Sequence, residues 1–283
     1  MRIGTATLTV LALLAFAANS LLCRMALRTE MIDAISFTQA RLASGAVILA
    51  PILAAHLRGA RFVINARNIS AAFALFLYAI GFSLAYLRLP AGTGALILFG
   101  AVQVTMIGYG VARGQRPSTT QWMGIAAALA GLSYLFAPGI AAPPLAFAVL
   151  MGLAGAAWGA YSLLGRGEAN PVAATARNFA LALPFAVLLF AVPAPRHLTF
   201  EGVALAVASG AVASGAGYVI WYRALQGLSP VVAAVVQLAV PVIAALGGVA
   251  LLAEPMTARL AIAAALILGG IFAATVAQKG DPK

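Results

Sequence analysis

Within runs that are otherwise almost wholly apolar, a small set of side chains can hydrogen-bond or stack. Gln103 and Gln237 each offer an amide donor and an acceptor, enough to grip both ends of a zwitterion. Tyr78 and Phe82 lie four apart, and Trp158, Tyr161 and Ser162 share helical spacing, so each set presents one face of a helix. Flat rings on such faces stack on an apolar or aromatic group. Ser214 and Tyr218, also four apart, and Asn19 complete the candidate substrate-binding residues. The expectation is that Tyr78, Trp158 and Gln237 line one central cavity.

Competing structural roles exist for each. A glutamine inside a span can simply bridge two helices, at about 0.6 kcal/mol on average. Tyr161 stands near a span end, where aromatic belts anchor helices, and Tyr86, Trp221 and Tyr222 read as belt residues. Small-residue packing accounts for most of the stretch Ser209–Tyr218, and for Gly155-x-x-x-Gly159. Asn19 can serve nearby backbone. Arg41 and Arg177 have the fork that matches a carboxylate, but they sit near enough to span ends to snorkel outward.

These groups bind; they do not make bonds. No His-Glu-x-x-His, no intramembrane aspartate pair and no in-span histidine beside a serine is present. The single cysteine, Cys23, excludes an internal disulfide and a multi-Cys metal site, and His56 and His197 are expected in loops. Neither a metal nor a cofactor is called for, and the chain reads as no enzyme. The repeated charged rings of a channel filter are also missing. Although Lys+Arg exceed Asp+Glu by 17 to 6, the basic residues are scattered, which argues against nucleic acid as a partner. No feature asks for an obligatory protein partner.

The elements that must hold these groups are transmembrane helices. With 64% apolar and 8% charged residues and a mean hydropathy of +1.04, the chain suits a lipid bilayer rather than water. Apolar stretches fall near 5–24, 35–55, 70–88, 92–112 and 121–138, then near 144–163, 172–193, 202–222, 230–252 and 258–277. Ten helices are therefore expected in an all-α integral membrane protein. The run Ser20-Leu21-Leu22-Cys23-Arg24 recurs as Ser162-Leu163-Leu164-Gly165-Arg166, 142 positions on. Arg41 and Arg177 stand 136 apart, as do Tyr86 and Tyr222. Two related halves, 1–140 and 141–283, meet near Pro143-Pro144. Because the first span matches the sixth, a cleaved signal peptide is not expected.

Alternate loops differ in Lys and Arg, ten on the N-terminal side against five on the other, which predicts cytoplasmic termini in a bacterial-type inner membrane. An odd number of helices per half then inverts the second half relative to the first. Paired five-helix units of opposite topology are the mark of secondary transporters, with the site near the midplane where the units meet. Gln103 and Gln237 fall in partner spans four and nine. All six acids are expected in loops, span ends or tails, with Glu254 beside Arg259, so no embedded relay is expected and transport by facilitated diffusion is.

Several residues carry a resemblance. Arg41 and Arg177 stand alone early in spans two and seven, Tyr222-Arg223-Ala224-Leu225 runs into Ser229-Pro230, and Pro241 precedes Leu251-Leu252-Ala253-Glu254-Pro255. In order and spacing, these resemble the EamA family of the drug/metabolite transporter superfamily along essentially the whole chain. Ala253 departs from the family's glycine, and Arg116 replaces a glutamate in the first half. The aromatic and small residues of the middle spans look most like a bacterial exporter of aromatic amino acids. The resemblance implies export of amino acids or related metabolites by alternating access, with proton-coupled drug or metabolite antiport as the alternative.

Overall fold

The structure, a computed structural model, describes residues 3–58, 64–114, 118–137, 142–165, 168–228 and 236–276. Ten helices are found among them: α1 (Ile3–Arg28), α2 (Ala34–Leu57), α3 (Ala66–Tyr86), α4 (Ala91–Ala112), α5 (Thr119–Phe136), α6 (Leu145–Leu164), α7 (Pro171–Leu188), α8 (Phe200–Leu225), α9 (Ala239–Leu252) and α10 (Ala258–Val276). Seven of them, α1 to α4 and α6 to α8, are long and apolar enough to cross a membrane, which makes this a multi-pass membrane protein. No strand occurs among the described residues; one isolated bridge joins Ile32 to Leu198.

Local chemistry sets the helix starts. Asp33 caps α2 by accepting from the Ile35 and Ser36 amides, Asn65 caps α3, and Ser118 with Gln121 forms a reciprocal capping box on α5. Asn170 caps α7 with Pro171 at its first position, and Thr199 caps α8. α9 ends on Ala253 at φ 50°, ψ 37°, the left-handed conformation that a glycine adopts without strain. The small-residue stretch in α8 winds as π-helix over Ala208–Ala216. There the helix lies on α2 so closely that a Cβ on Gly210 would stand 2.0 Å from the Arg41 carbonyl oxygen.

Helices from the two ends of the chain interleave. α3 packs on α6 and α7, α4 on α6 and α9, α1 on α8 and α9, α2 on α7 and α8, and α5 on α10. The Gly155-x-x-x-Gly159 face does pack closely, against α4: a Cβ at Gly155 would lie 2.5 Å from the Leu98 carbonyl oxygen.

Three expectations are corrected here. Tyr86 is no belt residue: it is fully buried, donates to the Ala91 carbonyl at 3.2 Å, and its ring fills the space beside Gly94. Tyr161 is likewise buried, with its ring stacked on that of Trp158. His56 belongs to the last turn of α2 rather than to a loop. The start of span nine, with Ser229-Pro230, lies outside the described residues, as does Arg116.

Candidate functional site

At the centre of the bundle, five helices and the turn before α9 surround a small cavity. α1 contributes Phe16, Asn19 and Ser20, α3 Tyr78 and Phe82, α4 Leu98 and Phe99, α6 Trp158, and α8 Ala213 and Tyr218; Gln237 completes the wall. The spacing of Phe16, Asn19 and Ser20, and of Tyr78 and Phe82, puts each group on one face of its helix. Free space amounts to about 20 Å³, room for one water molecule and too little for any metabolite. The protein is therefore contracted around this point.

A cluster of rings forms most of the wall. Trp158 lies 4.8 Å from the Tyr78 ring and 5.2 Å from those of Tyr161 and Tyr218, stacking on Tyr161 at an interplanar angle of 29°. Tyr78 contacts Phe82 at 5.3 Å. A polar chain runs alongside: Ser209 Oγ donates to Asn19 Oδ1 at 2.5 Å, and Asn19 Nδ2 donates to the Tyr78 hydroxyl at 3.1 Å.

Arg41 lies immediately behind the rings. Only 2% exposed, it donates through Nη2 to the Tyr78 hydroxyl at 2.9 Å and to Ser214 Oγ at 3.4 Å. Its guanidinium carbon stands 5.0 Å from the centre of the Tyr78 ring and 4.8 Å from that of Phe82. The expected snorkelling is thus corrected for Arg41, since the ring faces and hydroxyls beside the cavity hold it inward. Arg177, its counterpart in the sequence repeat, does reach toward the end of its helix, where it pairs with Glu168 at 3.2 Å.

Of the residues singled out from sequence, Asn19, Tyr78, Phe82, Trp158, Tyr218 and Gln237 line this cavity. Tyr161 and Ser214 stand one layer behind it. The Ser162 hydroxyl is occupied with the Trp158 carbonyl at 2.8 Å. Gln103 is elsewhere and does not share this cavity with Gln237. It falls on the Gly100-Val104-Ile107 stripe of α4, which faces α5 and α10 and lines an apolar groove of about 160 Å³ with Trp122, Leu129 and Ile267. That groove is the roomier of the two, but its lining is nearly all hydrocarbon, so it lacks the converging polar groups that orient a polar solute. Sequence reasoning missed Phe16, Ser20, Ser209 and the inward turn of Arg41; a lone cation inside an apolar span was the one signal pointing to them.

Residues 145–276, covering α6 to α10, match the EamA-like transporter family. An uncharacterized protein of Pseudomonas aeruginosa is 53% identical over 268 residues, which cover 94% of this chain and 93% of that relative. The chain belongs to the EamA-like transporter family. EamA proteins are membrane transporters of small molecules. A crystal structure of a protein 21% identical superposes with a TM-score of 0.65 over 97% of this chain and 98% of its own, which shows a common fold and no more.

In this EamA chain the residues Ala253-Glu254 form part of a buried latch. Glu254 does not pair with Arg259; Arg24 Nε donates to its Oε1 at 3.0 Å, and its Oε2 accepts from the Ala91 amide at 2.7 Å. The left-handed turn at Ala253 folds the carboxylate back under α9, out of reach of α10. Arg24 also donates to the carbonyls of Tyr86 and Leu87, at 2.9 and 3.1 Å, and Arg28 donates to that of Leu252. Arg259 instead serves the carbonyls of Leu135 and Ala137 at the end of α5. The same end of the bundle carries a second clasp: the Asp33 amide donates to the His197 carbonyl at 3.0 Å, the His197 amide donates to Asp33 Oδ2 at 3.1 Å, and Arg196 stands 3.7 Å from Asp33. Partial burial pushes the Asp33 carboxyl up, but hydrogen bonds from Ser36 and His197 and the charge of Arg196 outweigh it and hold the group below its ordinary value.

Proposed function

We propose that this EamA transporter exports a small amphipathic metabolite, an amino acid with an aromatic or other neutral side chain, from the cytoplasm across the inner membrane by alternating access. The observation that carries the reading is the central cavity. Its rings and its few polar groups converge where helices before and after residue 140 meet, the place where substrate sites lie in transporters built from inverted repeats. Asn19, Tyr78, Phe82, Trp158, Tyr218 and Gln237 contact the substrate in this reading, with Tyr161 and Ser214 supporting them, while Gln103 and Ser162 have no place in it.

Packing supports two inverted five-helix repeats, 1–140 and 141–283. Exchanging each helix for the one five positions away turns α3 on α6 into α8 on α1, α4 on α6 into α9 on α1, and α3 on α7 into α8 on α2, and each partnership occurs. With both termini cytoplasmic, as the loop arginines suggest, the latch and the clasp lie at the outer face. The conformer would then be shut to the outside. Cysteines placed at Arg58 and Arg196 should label from opposite faces of the membrane.

The functional test is a counterflow screen of labelled amino acids in proteoliposomes, with Trp158→Ala as the site variant. Saturable exchange that falls at least ten-fold in that variant supports the reading. Exchange unaltered by Trp158→Ala places the route elsewhere. Facilitated diffusion down the substrate's own gradient fits a cavity with no acid in its wall among the described residues. Proton antiport is kept as a second reading because Glu254 is a buried carboxylate, 8% exposed and paired with Arg24, and proton-driven carriers use embedded acids as relays. Uphill transport driven by an imposed pH gradient, and lost in Glu254→Gln, selects the second.

A further inference from the structure

The hydrogen bonds around Tyr78 are spoken for in a particular direction. Ser209 donates to Asn19 Oδ1, so the Asn19 amide has its nitrogen turned to Tyr78, and the phenolic oxygen accepts from both Asn19 Nδ2 and Arg41 Nη2. With two donors already on that oxygen, the hydroxyl has only its own proton left to offer. Among the described residues no side chain or carbonyl accepts that proton. Tyr78 lines the cavity, and the cavity is where an acceptor can meet it.

Charge points the same way. A guanidinium stays protonated in a protein, so Arg41 is a full positive charge at 2% exposure. Three ion pairs occur among the described residues, Arg24 with Glu254, Arg177 with Glu168 and Arg196 with Asp33, and none involves Arg41. Its Nη1 is buried without a hydrogen-bond partner. Two ring faces and two hydroxyls offset part of the desolvation, yet a buried cation remains without an anion. An anionic oxygen seated on Tyr78 would lie one hydroxyl away from that charge, and the guanidinium would strengthen the bond by polarising the O–H. Conversely, among the described residues no carboxylate lines the cavity to meet a substrate ammonium.

We infer that the cavity is a carboxylate subsite: the Tyr78 hydroxyl donates to a carboxylate of the transported molecule, Arg41 supplies the balancing charge from behind as a positioning residue, and the substrate's ammonium group is dispensable. This rests on the reading of the cavity as the transport site. It extends that reading from amino acids to organic monocarboxylates of similar size that lack an amine. It also gives the two sequence-paired arginines different work, since Arg177 already has Glu168.

The test measures binding of L-phenylalanine, 3-phenylpropionate and L-phenylalaninamide to the purified full-length protein by calorimetry. The expected result is that the two carboxylates bind within a few-fold of each other and the amide binds at least about ten-fold more weakly, the scale of one hydrogen bond to a charged group. Tyr78→Phe, which keeps the ring, should weaken the two carboxylates several-fold more than the amide, whose neutral carbonyl loses only a weaker bond, and so bring all three to similar affinity. Arg41→Met should do the same through Tyr78; if a melting curve shows that variant unfolded, Tyr78→Phe decides alone. Equal binding of acid and amide, with both lost in Trp158→Ala, keeps the cavity and overturns the carboxylate subsite. Discrimination that survives Tyr78→Phe also overturns it, since the anion is then read elsewhere. If no probe binds, or binding of all three ignores both Trp158→Ala and Tyr78→Phe, the transport-site reading itself falls and takes this inference with it.

Discussion

Cys23, the chain's single cysteine, is wholly buried and precedes Arg24 of the latch, so its alkylation reports whether that end of the bundle opens. The perturbation is Glu254→Gln. In the native pair the Nε–Oε1 distance is 3.0 Å, and the side chains are 11% and 7% exposed, which places it among buried ion pairs rather than surface ones. Removing one member of a buried pair costs about 3 to 5 kcal/mol, because the survivor is left desolvated. A glutamine oxygen can still accept from the Ala91 amide, which puts the expected cost at the low end, about 3 kcal/mol. If that cost falls on the closed state, the opened population rises about 150-fold. Where reclosing is faster than alkylation, the rate follows that population, so maleimide labelling of Cys23 in detergent should accelerate by roughly two orders of magnitude. Size-exclusion chromatography confirms that the variant stays folded. In an Arg24→Met background the further effect of Glu254→Gln should nearly vanish, since the two residues act as one unit. Labelling rates within two-fold of wild type, or strictly additive effects of the two substitutions, would refute the latch.

Three other outcomes follow from the geometry. Ala253→Gly should raise the unfolding free energy by about 0.5 to 1 kcal/mol, measured by denaturant titration, because glycine relieves the left-handed backbone at φ 50° and returns part of the gain as chain entropy. Gly210→Ala should destabilise by at least about 2 kcal/mol in the same assay, since its Cβ would meet the Arg41 carbonyl oxygen at 2.0 Å and neither backbone can yield. Asp33→Ala should cost about 1 kcal/mol through the lost cap of α2. Because the Asp33 pKa is lowered in the folded protein, its contribution is present above the unfolded value near 3.8 and fades as pH falls through the folded one. Thermal melts between about pH 3 and 7 should show that acid loss in wild type and a smaller one in the variant.

The helices were legible because the bilayer makes each one a local matter. A run of about 20 apolar residues has no alternative way to satisfy its backbone in lipid, so segment positions could be read within a few residues. The caps at Asp33, Ser118 and Thr199 are sequence-local too. Close packing at Gly155 and Gly159 was readable for a similar reason: small side chains i, i+4 leave a groove wherever they fall. Six of the ten site candidates reached the cavity because rings and amides at helical spacing share a face, and polar faces in a membrane bundle turn inward.

Partners across the bundle were another matter. The sequence pairs Gln103 with Gln237, but one faces α5 and α10 and the other the centre, since the rotation of a helix about its axis is set by its neighbours. The sequence pairs Arg41 with Arg177 as well. One is drawn in by Tyr78, Ser214 and two rings, and the other out by Glu168, which follows from what the surrounding helices present rather than from depth in the span. Glu254 has Arg259 five residues away but pairs with Arg24, 230 residues distant, because the turn at Ala253 points it there. By itself the sequence determined which segments are helices and which side chains avoid lipid, both governed by the solvent around a single helix. Only the tertiary structure decided which polar group meets which, because that depends on helix rotation and on contacts between residues far apart in the chain.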